Sequence, residues 1–221
     1  MSDSSPQKYI PALKYHALTN FYDTIVRLTT REKVFKTELV NLAAPHPGEY
    51  LLDVGCGTGT LIQLFAEHEP NIRIMGLDAD PVQLKQAQMK VATFGDQISF
   101  QQGYAQNLPP DTPTFDLAVS SLFFHHLTTD QKRDSLGEIY RVLKPGGRLL
   151  VADWGKPSST RQRLAFFVVQ LLDGFETTRD SVEGLLPILM RKAGFIHIDD
   201  SRLVPTFLGT VRLFQAEKPQ E

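Results

Sequence analysis

Apolar and polar positions along this chain fall into two alternating periods. Short apolar runs at residues 50–54, 72–77, 98–101, 115–120 and 148–152 predict buried strands. Between them lie stretches with helical spacing. Ile25, Leu28, Phe35, Leu39 and Leu42 form a stripe that Asn20 caps and that Pro45, Pro47 and Gly48 end. A second helix starts near Thr58. A third has Asp80 as its cap and Pro81 in its first turn. A fourth, capped by Thr128 or Thr129, runs to Leu143 and stops at Pro145-Gly146-Gly147. Strands alternating with such helices predict a doubly wound α/β fold on a mostly parallel sheet. The chain ends differently: residues 196–204 and 210–216 read as strands joined by a connection too short for a crossover helix, hence antiparallel neighbours.

The stretch between these regions breaks the pattern. Leu164, Ala165, Phe166, Phe167, Val168 and Val169 are apolar nearly all round a helix, which predicts cover on both faces. A core helix, a wall of an apolar substrate pocket and a dimer contact all satisfy that expectation. Gly184 and Pro187 interrupt the next helical stretch and predict a kink or restart.

Composition narrows the function classes. With 221 residues, 42% apolar and 22% charged, the chain fits one globular domain spanning 1–221. Within it, residues 1–8 read as a loose tail, 9–44 as a helical lid and 155–195 as a helical cap. A net charge of -2 supplies no basic excess for a nucleic-acid backbone, so a small-molecule partner is expected instead. No apolar run is long enough to span a bilayer, and the polar start lacks a secretory core, which predicts a cytoplasmic protein. One cysteine, Cys56, excludes an intrachain disulfide and a cysteine-cluster metal site, so no metal is expected.

Candidate chemistry concentrates at Leu51-Leu52-Asp53-Val54-Gly55-Cys56-Gly57-Thr58-Gly59-Thr60. Glycines at alternate positions after a strand let the chain turn tightly and let a ligand approach the main chain. Asp78, about 20 residues on, is placed to pair with ribose hydroxyls. That acid would serve a dinucleotide or S-adenosylmethionine alike. The glycine spacing differs from G-x-G-x-x-G, however, and Asp53 precedes the first glycine. A carboxylate about 5 Å from a pyrophosphate is opposed by about 3 kcal/mol at an effective dielectric near 20. Beside an ammonium and a sulfonium the same charge attracts.

LDVGCGTGT, GLDAD, QGYAQNLPP, FDLAVSSLFFHHL and RVLKPGGRLLVADW together resemble the class I S-adenosylmethionine-dependent methyltransferases, of the small-molecule type related to ubiquinone and menaquinone methyltransferases. The ordered motifs cover about residues 20 to 155. The resemblance implies a Rossmann-like methyltransferase fold, a seven-stranded sheet with an antiparallel last strand. It implies that Gly55, Gly57 and Gly59, with Cys56 and Thr58 in the same loop and Asp53 beneath it, meet the methionine portion. Asp78 would hold the ribose, Ala79 the adenine face and Ala105 an adenine ring nitrogen. Tyr104 departs from the aspartate common at that place. Tyr22 would reach the ligand from the lid, and Ser121 from the loop after strand four. His125, His126 and Asp153 are candidate bases, with packing or capping as their ordinary roles. A catalytically silent scaffold and an NAD(P)-dependent oxidoreductase are the alternative functions. A homodimer is the alternative assembly.

Overall fold

The computed structural model describes residues 31–109, 111–157 and 160–220. The expected lid residue Tyr22, the cap Asn20 and the tail lie outside the described residues. The elements in chain order are α1 (Glu32–Ala43), β1 (Tyr50–Val54), α2 (Thr60–His68), β2 (Arg73–Asp78), α3 (Pro81–Lys90), β3 (Ile98–Gln102), β4 (Phe115–Ser121), α4 (Thr129–Val142) and β5 (Leu143–Trp154). Three helices follow, α5 (Thr160–Asp173), α6 (Phe175–Glu183) and α7 (Leu186–Lys192), and then β6 (Ile196–Pro205) and β7 (Thr210–Glu217). Short 3-10 turns at Ala92–Gln97 and Phe124–His126 complete the connections.

The seven strands form one sheet in the order β3-β2-β1-β4-β5-β7-β6. Neighbours from β3 to β5 are parallel, while β7 runs antiparallel to both β5 and β6. The expected terminal pair is therefore present, with the last strand inserted between β5 and β6. The chain winds outward from β1 to β3, then returns to lay β4 on the other side of β1. That reversal opens a crevice at the carboxyl ends of β1 and β4, the usual ligand position in such sheets.

Two apolar layers flank the sheet. Phe35, Leu39 and Ala43 of α1 and Leu61, Ile62 and Phe65 of α2 pack with Leu51, Leu117 and Val119. On the other face, Leu136, Ile139 and Val142 of α4 meet Leu52, Val54, Ala118 and Val151. β1 is buried on both faces, which is why its sequence is a continuous apolar run broken only by Asp53.

Local signals explain most element ends. Asp80 accepts the N–H of Val82 with Pro81 in the first turn of α3, and Thr128 closes a capping box with Gln131 on α4. At the other end of α4 the boundary moves. β5 begins at Leu143, paired with Phe115, and the ladder resumes at Arg148 opposite Leu117. Pro145-Gly146-Gly147 is thus a bulge inside the strand span rather than a gap before it. Lys218 completes that end by donating to the carbonyls of Tyr140 and Leu143.

The helix with apolar residues all round is covered on one face only. Phe166, Val169 and Gln170 of α5 are buried, with Phe166 edge-on to Trp154 at 5.6 Å between ring centroids. Leu164, Phe167, Val168 and Leu171 are exposed. The sheet and the β6–β7 turn cover one face of α5; on the opposite stripe Phe167 meets Phe175 of α6, edge-on at 5.6 Å between ring centroids, while Leu164, Val168 and Leu171 stay exposed. The expected interruption at Gly184 is a clean break: it adopts φ 72° as the α6 C-cap, and α7 restarts with Pro187 in its first turn.

Candidate functional site

The glycine loop leaves the tip of β1 and is tied at once to β2, because the N–H groups of Gly55 and Cys56 both donate to Leu77 O at 2.8 and 3.0 Å. Gly55, Gly57 and Gly59 have φ of 72°, 52° and 74°, the left-handed region. At Gly55 a Cβ would lie 2.3 Å from Phe123 Cδ2, so the Phe123 ring occupies the room the glycine leaves. At Gly57 the nearest atom to a Cβ is Gln83 Oε1, 3.9 Å away, and the loop is open there. The loop therefore leaves main-chain atoms uncovered at Gly57, as a cradle for a ligand would require.

Beneath it sits Asp53, 1% exposed, with no hydrogen-bond partner on either carboxylate oxygen. Burial pushes its carboxyl up to about 7, against the attraction of Lys36 and with the repulsion of Asp78 adding. A buried anion without a donor is costly, and a cation in the crevice would relieve that cost. Cys56 is buried, its Sγ 3.9 Å from Gly57 O, and burial drives the thiol far above its ordinary value, which rules out a thiolate. Thr58 Oγ1 accepts from Lys90 Nζ at 3.1 Å, so its hydroxyl is engaged with α3. Ser121 Oγ at the end of β4 is buried without a partner, while the adjacent Ser120 Oγ donates to Val54 O at 2.7 Å and locks β4 to β1.

Asp78 ends β2 and bridges the site. Its Oδ2 accepts the N–H of Gly57 at 2.8 Å and its Oδ1 that of Asp80 at 2.9 Å. Burial raises its pKa, and these backbone donors oppose the rise. Each oxygen retains a second lone pair, so the carboxylate can pin the loop and still accept a ribose hydroxyl. Beside it, Ala79 O accepts from Gln102 Nε2 at 3.1 Å, Tyr104 is exposed and Ala105 is buried.

The three candidate bases divide. His125 and Asp153, from the turn after β4 and the end of β5, meet with Nδ1 2.8 Å from Oδ1. Asp153 also accepts the N–H groups of His125 at 3.2 Å and Trp154 at 2.7 Å. Burial works to raise its pKa, but the His125 ring and these hydrogen bonds outweigh it and hold the carboxyl below its ordinary range. An ionised carboxylate only accepts, so Nδ1 carries the proton in this contact. The His126 ring lies tilted against that of His125 at 3.9 Å between centroids and is kept neutral, first by burial and then by the neighbouring His125 and Lys132 against the pull of Asp153.

His125 and Asp153 face a cavity of about 10 Å³ closed by Phe124, Lys132, Trp154, Asp180, Ser181 and Leu186. Trp154, Asp180, Ser181 and Leu186 also line a cleft of about 210 Å³ under the α6–α7 connection. Lys132 and Asp180 escaped the sequence reading. Lys132 Nζ lies 2.8 Å from both Asp180 Oδ2 and Thr177 O, and Thr129 Oγ1 donates to the same carboxylate. The signal was available: Lys132 falls in register with Leu136, Ile139 and Val142, a charge on the buried stripe of α4. Phe123 gave no such signal, since nothing in its neighbours ties it to Gly55. Among the described residues no group of three or more His, Cys, Asp or Glu could hold a metal ion, and no helix is long and apolar enough to cross a membrane.

Residues 51–147 match the methyltransferase domain family. A demethylmenaquinone methyltransferase of Symbiobacterium thermophilum is 29% identical, covering 100% of this chain and 96% of that protein. A ubiquinone/menaquinone biosynthesis C-methyltransferase UbiE of Cereibacter sphaeroides is 31% identical, covering 74% of this chain and 72% of that protein. Among solved structures, a putative methyltransferase of Bacillus halodurans shares the fold at TM-score 0.62 and 21% identity, covering 83% of this chain and 98% of that one. A Haemonchus contortus phosphoethanolamine N-methyltransferase 2 in complex with S-adenosyl-L-methionine does so at TM-score 0.67 and 18% identity, covering 84% of this chain and 52% of that one. With a matching glycine cradle, sheet order and relatives, the chain belongs to the class I S-adenosylmethionine-dependent methyltransferases, of the small-molecule type related to the ubiquinone and menaquinone enzymes.

Proposed function

We propose that this enzyme transfers the methyl group of S-adenosylmethionine to a small apolar or aromatic metabolite by in-line displacement, with the reduced ring of a quinone as the first acceptor to test. The observation that carries the reading is Asp53, a buried carboxylate with no partner, under a loop of three left-handed glycines. That pair fits an ammonium and a sulfonium and opposes a pyrophosphate. It therefore favours a methyl donor over the dinucleotide alternative.

S-adenosylmethionine supplies, when bound, a methyl carbon already activated by its sulfonium. What remains for the protein is to hold, align and keep dry, and positioning of this kind accounts for about 7 to 11 kcal/mol of a barrier. Gly55, Gly57 and Gly59 would take the methionine portion, Asp78 the ribose, and Ala79, Tyr104 and Ala105 the adenine. Phe123, packed against Gly55, would limit water at that end of the loop. His125, oriented by Asp153 through Nδ1, would accept a proton from an acceptor hydroxyl or acidic carbon, with the neutral His126 ring packed beside it at a tilt. The names of the quinone methyltransferase relatives support the acceptor class.

Methyl uptake from labelled S-adenosylmethionine, assayed across a fractionated metabolite extract and on reduced naphthoquinones, tests the proposal. A single labelled aromatic product is expected. Cofactor binding without transfer to any fraction would return the scaffold alternative.

A further inference from the structure

The loop after β3 is held at its start and at its middle by parts of the fold distant in sequence. At its start, Gly103 N–H donates to Asp78 O at 3.0 Å, and inside it Asn107 N–H closes a turn on Tyr104 O at 3.0 Å. Midway along it, Leu108 is gripped by α4 through both of its backbone polar groups. Glu138 Oε2 accepts the Leu108 N–H at 2.8 Å, and Arg141 Nη2 donates to Leu108 O at 3.0 Å. The two side chains are joined to each other, Arg141 Nε to Glu138 Oε1 at 2.8 Å and Nη2 to Oε2 at 2.7 Å. Leu108 itself is 3% exposed, so its backbone groups would be orphaned without these partners.

We infer that Glu138 and Arg141 are positioning residues for the cofactor: they form a two-point clamp on the Leu108 backbone that sets Tyr104 and Ala105 at the height of the adenine. The inference rests on the reading of those two residues as the adenine platform. An ion pair three residues apart on a half-exposed helix face contributes little to stability alone. This one is different because one partner is an obligatory acceptor and the other an obligatory donor for the same peptide. Its polarity is therefore fixed: an acceptor must stand at 138 and a donor at 141. Glu138 is held below the usual carboxylate range, by the Arg141 hydrogen bonds first, so the clamp stays charged through neutral pH.

The fixed polarity gives the experiment. Glu138→Ala should speed amide hydrogen exchange at Leu108 and weaken S-adenosylhomocysteine binding about tenfold in calorimetry, the size of one charge-assisted hydrogen bond. Glu138→Gln keeps an acceptor oxygen for Leu108 and should stay near wild type. The charge swap Glu138→Arg with Arg141→Glu restores a helix-surface ion pair but offers Leu108 the wrong groups, so binding should remain weak. Wild-type affinity in Glu138→Ala, or recovery in the swap, overturns the clamp. If Glu138→Ala does not fold, Glu138→Gln against the swap makes the same comparison. Tyr104→Ala and Ala105→Pro test the platform itself. Unchanged affinity in both removes the platform and the inference together, whereas weakening there with none in Glu138→Ala removes the clamp alone.

Discussion

Replacing Asp53 by asparagine separates what the buried carboxylate costs the fold from what it contributes to the ligand. In the folded protein its pKa stands at about 7 instead of 3.8, chiefly through burial. Between those values the native state binds a proton that the unfolded chain has lost, so stability falls as pH rises. The interval from 3.8 to about 7, at about 1.36 kcal/mol per pH unit, amounts to about 4 kcal/mol. The whole loss is present once the pH exceeds the folded value, and none of it below the ordinary value. Urea denaturation of the ligand-free proteins at pH 5 and pH 8 measures it. Because a buried amide carries its own desolvation cost at both pH values, the diagnostic quantity is how the gap between wild type and Asp53→Asn changes with pH. Between pH 5 and pH 8 the variant should gain on wild type by about 2.7 kcal/mol, the part of the loss that falls from pH 5 to about 7. A gap that is equal at both values refutes the unpaired-anion argument. The ligand arm has the opposite sign. At pH 6 about nine-tenths of Asp53 is protonated in the free protein if its pKa is about 7, so cationic cofactor binding should release nearly one proton. Calorimetry in buffers of different ionisation enthalpy counts that proton, and Asp53→Asn should release none while binding up to about 100-fold more weakly.

Three further outcomes follow from contacts elsewhere in the site. Asp78→Ala frees the Gly57 N–H and removes the ribose acceptor, and S-adenosylmethionine affinity should fall at least about tenfold in calorimetry; unchanged affinity in the folded variant would remove the ribose assignment. Gly55→Ala places a methyl into the Phe123 ring at positive φ and should destabilise by more than the ~1 kcal/mol of the backbone strain alone, with Phe123→Ala recovering the steric part in thermal denaturation; equal losses in single and double variants contradict the packing. Lys132→Met leaves Asp180 buried without its cation and should cost about 3 to 5 kcal/mol, whereas adding Asp180→Leu should restore most of it; a double variant as unstable as the single one shows that more than the ion pair was lost.

The central sheet was legible because β1, β2, β4 and residues 149–152 of β5 are short apolar runs, whereas β6 carries His197, Asp199, Asp200 and Arg202 and is mostly exposed. β1 has no polar position except the candidate site residue Asp53, and Asp80-Pro81 and Thr128 announce their helices by hydrogen bonds that span only two or three residues. What stayed hidden is what depends on residues brought together by the sheet. The bulge at residues 144–147 exists because Leu143 pairs with Phe115 before Arg148 pairs with Leu117, a register no local pattern encodes. One covered face on α5 is likewise a property of what lies beside the helix, and its own apolar sequence is silent about that. At the candidate site the same division holds. Gly55, Gly57, Gly59, Asp53 and Asp78 declare themselves by spacing because they act through backbone conformation and charge within one βαβ unit. Phe123, Lys132, Asp180, Glu138 and Arg141 act on partners 30 to 68 residues away, or receive them from there. Only Lys132 left a trace, as a charge on an apolar stripe. The glycine loop is thus written locally, while the contacts that hold Leu108 in the loop after β3 are written in the packing of α4 against it.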